Sequence, residues 1–342
     1  MPTSFLNKLV APRLPAAAVG LDQDTAAVVL VDRRRNRRGG EAEFELRRAA
    51  TVALPENLIT PSFDEPNITD AVELAQALAE LVNSSGLARQ QKWAVALPEA
   101  VTRTAILTLE TEQQTSRAET EEVLRWKTER AFGQPLDELR VRREQLSPDA
   151  RGRARYLTAG ARLSVINEYE AVFARLGWQA GLILPRYVGE MRWLIPPPAT
   201  ARRRAANTGD ALLVSSYHAG FTAVLLHDAQ PLIVREISCD EGDCADELYR
   251  LLLFYRDRMT HARNDDNADS ESIETLRRLL IIGKNDGTDG FSRERVREVV
   301  NETLGANVRP LDAGSINLAL PPGDLTFDQI AAPAGLATLA WS

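Results

Sequence analysis

Gly20-Leu21-Asp22-Gln23-Asp24-Thr25, followed by the apolar run Ala26-Ala27-Val28-Val29-Leu30-Val31-Asp32, decides how this chain is read. Turn residues between two β-prone runs predict a tight hairpin, with strands at 17–21 and 25–32. In two-lobed nucleotide-binding folds such a hairpin is the first phosphate loop. That loop needs glycine or small residues, because backbone N–H groups must approach the phosphates closely. Here the tip carries Gln23 and Asp24. A carboxylate against a phosphate oxygen costs about 1 kcal/mol at contact distance in water, and more in a shielded cleft. The architecture points to an ATP-binding hairpin, and the chemistry of its tip points away from one.

Working outward, a third strand at 43–54 is followed by apolar residues Val72, Leu74, Ala75, Leu78, Leu81 and Val82. That spacing predicts an amphipathic helix over 69–82, ended by Asn83-Ser84-Ser85-Gly86, and a strand at 93–97 follows. The same order returns later. Strands are predicted at 211–215, 221–227 and 232–238, a long helix at 243–261 and a buried strand at 279–282. A helix at 292–304 and a strand at 307–311 close the second series. Two copies of three strands, helix and strand imply two related α/β lobes with a ligand cleft between them.

Residues 91–182 read as a separate unit between the lobes. Strands are predicted at 94–97 and 101–109, a helix at 115–132, strands at 139–146 and 155–161, a helix at 165–176 and a strand at 178–184. Ser116 and Glu119 have the spacing of a capping box, and Gly133-Gln134-Pro135 stops the helix. The expected organisation is a first lobe over 1–90, the inserted unit over 91–182, a connecting helix and linker over 183–209 and a second lobe over 210–342. A helical subdomain is expected at about 239–278 in the second lobe.

Composition narrows the function classes. The 342 residues suffice for two to three domain-sized units, and 44% hydrophobic with 26% charged residues is ordinary for a soluble chain. Forty-one Lys and Arg against 48 Asp and Glu give a net charge of −7, which argues against nucleic acid as a partner. Cys239 and Cys244 are the two cysteines. They imply no disulfide framework and a reducing compartment, and they lack the further ligands a metal site requires. The first 19 residues, with Pro2, Pro12 and Pro15, do not read as a signal peptide. No stretch approaches the ~18 apolar residues of a membrane span. A cytoplasmic chain that meets a membrane through a partner is expected.

The order and spacing of several segments resemble the PilM family of type IV pilus assembly proteins, from Val19 to Trp341. Ala94-Val95-Ala96-Leu97-Pro98 with Arg103-Thr104-Ala105-Ile106-Leu107 is similar to the family's entry into its inserted domain. Glu119-Thr120-Glu121-Glu122-Val123-Leu124-Arg125-Trp126, with Phe132, Pro135 and Glu138, resembles the helix and turn that follow. Ala159-Gly160-Ala161-Arg162, Tyr169 and Leu176-Gly177 resemble the closing strand and helix. Ala331-Ala332-Pro333-Ala334-Gly335-Leu336-Ala337 resembles the terminal helix. The resemblance implies an actin-like (ribonuclease-H-like) two-lobe α/β fold with an inserted strand-helix-strand-strand (SHS2-like) subdomain. It also implies a cytoplasmic adaptor, peripheral to the inner membrane, that binds the cytosolic tail of a PilN-like membrane protein. A pilus motor ATPase is a further implied partner. Candidate tail-binding residues are Trp93, Ile106, Leu124, Trp126 and Phe132, residue types that are usually core.

Departures from the family pattern fall on the nucleotide elements. The cofactor-binding candidates are Asp22, Gln23, Asp24 and Thr25 in the first hairpin, and Ser215, Gly220 and Thr222 in the second. Gly283 and Lys284 follow the strand at 279–282. Ser215 stands where a carboxylate would hold hydrated Mg²⁺, and a neutral hydroxyl is a weak ligand for it. Tyr217 and His218 put bulk where phosphates need backbone amides. The expectation is a pseudo-ATPase with no cofactor. The alternative is an active ATP- and Mg²⁺-dependent switch, for which Asp22, Thr25 and the two lobes speak. A type II secretion platform domain is a third reading. Asp22 reads either as a turn-capping residue or as a ligand, and His218 as a turn residue. Arg33-Arg34-Arg35 with Arg37-Arg38 reads as a solvated loop or a contact for anionic headgroups. Arg202-Arg203-Arg204 reads as linker, and 264–272 as an acidic mobile segment.

Overall fold

The computed structural model describes residues 14–34, 43–110, 116–149, 151–195, 209–240, 242–264, 276–283 and 291–341, with backbone alone for 43 and 258–264. Strands β1 (Ala17–Leu21), β2 (Thr25–Arg34) and β3 (Glu43–Ala53) form an antiparallel meander. Helix α1 (Ala71–Ser84) carries the chain back to β4 (Lys92–Leu97), which pairs parallel to β1. Asp70 starts α1 by accepting from the N–H groups of Val72 and Glu73 at 2.8 and 3.0 Å, a standard N-cap arrangement.

The chain then leaves the sheet. Strand β5 (Arg103–Leu109), helix α2 (Arg117–Phe132), β6 (Leu139–Leu146) and β7 (Ala154–Arg162) build a three-stranded antiparallel sheet in the order β5-β7-β6. The capping box of α2 is present, and Gly133 ends the helix with φ 69°. Helix α3 (Leu163–Arg175) and β8 (Gln179–Pro185) return to the first sheet, where β8 pairs parallel to β4. The inserted sheet thus spans 103–162, a tighter unit than the 91–182 read from sequence. The strands at its flanks hydrogen-bond into the first lobe, and α3 packs in that lobe's core.

A short helix α4 (Arg186–Met191) leads to the second lobe. Strands β9 (Ala211–Tyr217), β10 (Gly220–His227) and β11 (Gln230–Ser238) repeat the meander. Helix α5 (Cys244–Asn264) precedes β12 (Arg278–Ile282), which pairs parallel to β9. Helix α6 (Arg293–Leu304), the two-residue β13 (Leu318–Ala319) and helix α7 (Phe327–Thr338) complete the chain. Strand orders β13-β3-β2-β1-β4-β8 and β11-β10-β9-β12 share the meander-plus-parallel pattern, so the duplicated two-lobe α/β architecture expected from sequence is present. The strand expected at 307–311 is reduced to a bridge between Leu279 and Pro310. Proline has no N–H to extend a ladder.

Both sheets are covered on both faces, which explains their near-continuous apolar runs. In β9, Leu212 and Val214 face α5 and α6, while Ala211 and Leu213 join an interlobe core with α4 and α7. Helices α4 and α7 cross at two glycines. A Cβ on Gly335 would lie 1.8 Å from the carbonyl oxygen of Gly189, and one on Gly189 would lie 2.1 Å from that of Ala332. The inserted sheet touches both lobes. Thr104 Oγ1 meets Tyr187 OH at 3.0 Å, Arg103 reaches Asp64 at 3.0 Å, and Arg155 donates to the carbonyl of Pro231 at 2.8 Å.

Cys239 and Cys244 are joined in a disulfide, with Cα atoms 5.6 Å apart. This corrects the expectation of unpaired thiols. The turn between β11 and α5 brings two residues five apart in sequence face to face, a proximity that spacing alone does not reveal. Among the described residues no helix is long and apolar enough to cross a membrane, and no group of His, Cys, Asp and Glu is arranged to hold a metal ion.

Candidate functional site

A cavity of about 770 Å³ lies between the lobes, lined by both hairpin turns, the β12–α6 connection and the start of α7. Four of the candidate residues from the first hairpin, Asp22, Gln23, Asp24 and Thr25, line it, as do Gly220 and Gly283 from the second lobe. The N–H of Gly283 is taken by Asp328 Oδ2 at 3.2 Å. Lys284 lies outside the described residues, as do Arg35, Arg37, Arg38, Arg202, Arg203, Arg204 and positions 265–272.

Ser215 and Thr222 sit elsewhere. They are cross-strand partners, each 1% exposed, and alternation puts them on the face that Leu213 and Val224 present to the interlobe core. Neither hydroxyl has a hydrogen-bond partner. They do not line the cavity; Ser216, Tyr217 and His218 do. The alternation of side chains along β9 and β10 places the two hydroxyls in that core.

Sequence reading missed Arg186, which lines the cavity beside Asp22, and the two glutamates buried behind it. Strands β1, β4 and β8 lie side by side and parallel, and the crevice at the carboxyl ends of such strands is where ligands bind in open α/β sheets. Just beyond these ends stand Asp22, Glu99 and Arg186. The Arg186 guanidinium bonds Asp22 Oδ2 and, through Nε, Glu190 Oε1 at 3.0 Å; its Nε is 3.6 Å from Glu99 Oε2. Glu190 and Glu99 are 0% and 3% exposed. Both oxygens of Glu99 and Oε2 of Glu190 lack hydrogen-bond partners. Burial pushes the Glu99 carboxyl well above its ordinary range, against the attraction of Arg186 and helped by Glu190. Burial works against the charge of Arg186, but Glu190, Asp22 and Glu99 outweigh it and hold the guanidinium more firmly protonated.

Asp22 accepts from the N–H of Gln23 at 2.9 Å through Oδ1, so it shapes the turn and pairs with Arg186 at once. This geometry tests the fit of ATP and Mg²⁺. A hydrated cation beside Asp22 would have to displace a guanidinium already bonded there. A phosphate at the first hairpin would meet Asp22 and Asp24. No carboxylate stands at Ser215, and its hydroxyl is buried and does not line the cavity. The residues present do not fit a metal–nucleotide pair. Asp328, which lines the cavity, is paired with Arg293 at 2.6 Å.

The tail-binding candidates divide by burial. Trp93 is fully buried in the first lobe against Trp178, Leu124 is 2% exposed, and Phe132 is 1% exposed beneath the inserted sheet. These three are core, and a partner does not reach their side chains. Ile106 is half-buried on β5, and Trp126 is 55% exposed on α2 beside Val123 at 41%. The helix buries the single stripe Leu124, Thr128 and Phe132 at intervals of four, so Trp126 points outward. Arg130 stacks on Trp126 at 5.4 Å from the ring centroid.

No protein-family model matches the chain, and no curated relative does. Solved structures do. A chain of a PilM–PilN type IV pilus biogenesis complex is 16% identical, with 97% of this chain and 100% of that one covered at a TM-score of 0.64. Looser likenesses include a Bacteroides thetaiotaomicron protein with an actin-like ATPase fold and unknown function. It is 11% identical, with 98% of each chain covered and a TM-score of 0.43. The cytoplasmic domain of EpsL, an inner-membrane component of the Vibrio cholerae type II secretion system, is 10% identical. It covers 84% of this chain and 93% of its own, at 0.38. The first likeness establishes the fold, the actin-like two-lobe architecture with its inserted sheet.

Proposed function

We propose that this protein is a cytoplasmic adaptor of a type IV pilus or related secretion platform, held at the inner membrane by the cytosolic tail of a PilN-like protein. Its cleft is catalytically silent. The observation that carries the reading is the end-to-end likeness, inserted sheet included, to a chain of the PilM–PilN complex. The unfavourable chemistry of the cleft for metal–nucleotide supports the second half.

The inserted sheet suits an adaptor's role. It bonds to the first lobe through Asp64, to α4 through Tyr187 and to the β10–β11 hairpin through Pro231. A segment seated there would engage a unit braced on both lobes. Among its described residues the exposed large apolar side chains are Trp126 and Val123, and tryptophan is enriched at binding hot spots.

The test is calorimetric binding of a synthetic PilN-like cytosolic tail peptide to the full chain, to Trp126→Ala and to a variant with 103–162 replaced by a short linker. Removing 91–182 instead would take out β4 and β8 and unfold the first lobe. Weakening by about tenfold or more in Trp126→Ala is expected for a hot spot, with loss of binding in the deletion. Unchanged affinity in a folded 103–162 deletion would place the tail elsewhere.

A further inference from the structure

Asp22 and Arg186 line the interlobe cavity and Glu99 and Glu190 are buried behind them, an arrangement that neither tail binding nor the fold requires. Three parallel strands deliver Asp22, Glu99 and Arg186 to one point, and α4 adds Glu190 one turn beyond Arg186. Three carboxyl groups therefore surround one guanidinium. Two of them, Glu99 and Glu190, are at least 97% buried and have three oxygens between them without a hydrogen-bond donor. Orphaned buried carboxyl oxygens are costly, and the cost is relieved by taking up a proton or by a neighbouring cation.

From this geometry we infer that Arg186 is a built-in counter-ion for these carboxyl groups, and that it is the residue that closes the cavity to metal–nucleotide. The guanidinium bonds Asp22 and Glu190 directly and stands 3.6 Å from Glu99. A Mg²⁺ ion needs near-octahedral oxygen ligands at about 2.1 Å, and no such shell assembles around carboxylates that already converge on a fixed organic cation. The same carboxylates repel a phosphate that arrives without its metal. Arginine suits this role better than lysine, because its charge is permanent and its planar fork serves several carboxylates at once.

The inference rests on the silent-cleft part of the proposed function and is independent of tail recognition. Its test uses the full chain without tail peptide. Mn²⁺ binding is followed by electron paramagnetic resonance, and ATP binding by calorimetry with and without Mg²⁺, for wild type, Arg186→Met and Arg186→Met/Asp22→Asn. Wild type is expected to show no saturable binding of Mn²⁺ or Mg²⁺–ATP up to millimolar concentration. Arg186→Met should bind Mn²⁺ at least tenfold more tightly than wild type, and the added Asp22→Asn should remove the gain.

Micromolar binding of Mn²⁺ or Mg²⁺–ATP by wild type overturns both this inference and the silent cleft. A silent wild type with a folded Arg186→Met that gains no Mn²⁺ overturns the role of Arg186 alone. ATP bound by wild type and lost in Arg186→Met would make Arg186 an anion ligand, which also refutes the proposal. Should the methionine variant fail to fold, Arg186→Lys replaces it. The smaller ammonium leaves one carboxylate uncovered, so weak Mn²⁺ binding absent from wild type supports the inference, and none refutes it.

Discussion

Replacing Gly335 by alanine tests the packing that holds the two lobes on either side of the cleft. Helix propensity alone favours the change, by about 1 kcal/mol, because glycine is a poor helix former. Packing opposes it. The added methyl would sit 1.8 Å from the carbonyl oxygen of Gly189, so α4 and α7 must part by about 1.2 Å to reach the 3.0 Å that real Cβ contacts respect. A gap of that size forfeits a quarter to a half of the dispersion energy across the contact. Much is at stake there, since Phe327 and every residue from Ile330 to Thr338 on α7 are buried. Overpacking costs about 1–3 kcal/mol and sometimes more; with backbone against backbone and no flexible side chain to yield, the upper end applies. The net loss should be about 2–3 kcal/mol, a fall in melting temperature of roughly 4–6 °C at the ~2 °C per kcal/mol of a large domain. Differential scanning calorimetry measures it, with Gly242→Ala as a control, since a Cβ there meets nothing within 4 Å. A Gly335→Ala melting temperature equal to or above wild type would refute the crossing geometry.

Other expectations follow from burial and charge. Glu99 is protonated more readily in the folded chain than its ordinary value near 4.5; its contribution is fully present below that value and is lost as pH rises through the raised folded value. Glu99→Gln should therefore gain stability relative to wild type increasingly above pH 4.5, as paired thermal melts across pH would show; a gap that is constant or narrows with pH would contradict this. Leu124→Ala, at a site 2% exposed, should cost about 2–5 kcal/mol in urea unfolding. Trp126→Ala, two residues on but 55% exposed, should cost far less, which separates core from surface on one helix. Asp70→Ala should cost about 1 kcal/mol, because the N–H groups of Val72 and Glu73 lose their acceptor; an unchanged denaturation midpoint would exclude the cap.

Much of the fold was legible because its signals are local. The alternation of the two hairpins, the i, i+4 apolar spacing of α1, the Ser116–Glu119 capping box and the stop at Gly133 each involve residues within a few positions of one another. Their repetition revealed two lobes, and the interruption between them revealed the insert. Its limits were read too wide, because β4 and β8 look like any buried strand until their partners in β1 and β4 are known.

The site was legible only in part. The first hairpin could be recognised as lining the cleft because turn chemistry is local, and the unsuitability of Asp24 followed from charge alone. The partner of Asp22 could not be found that way, since Arg186 is 164 residues distant and meets it only once three parallel strands end together. Ser215 and Thr222 had the right composition, but strand register turned them toward the core. Cys239 and Cys244 gave no hint of pairing, because approach depends on the turn between them. Residue types and short-range periodicity thus determined the elements, their order and the charge of the hairpin tip. Tertiary packing alone decided which side chains face the cleft, which tryptophan reaches solvent and which cation the buried carboxylates hold, because burial and ion pairing belong to neighbours in space that the order of residues does not name.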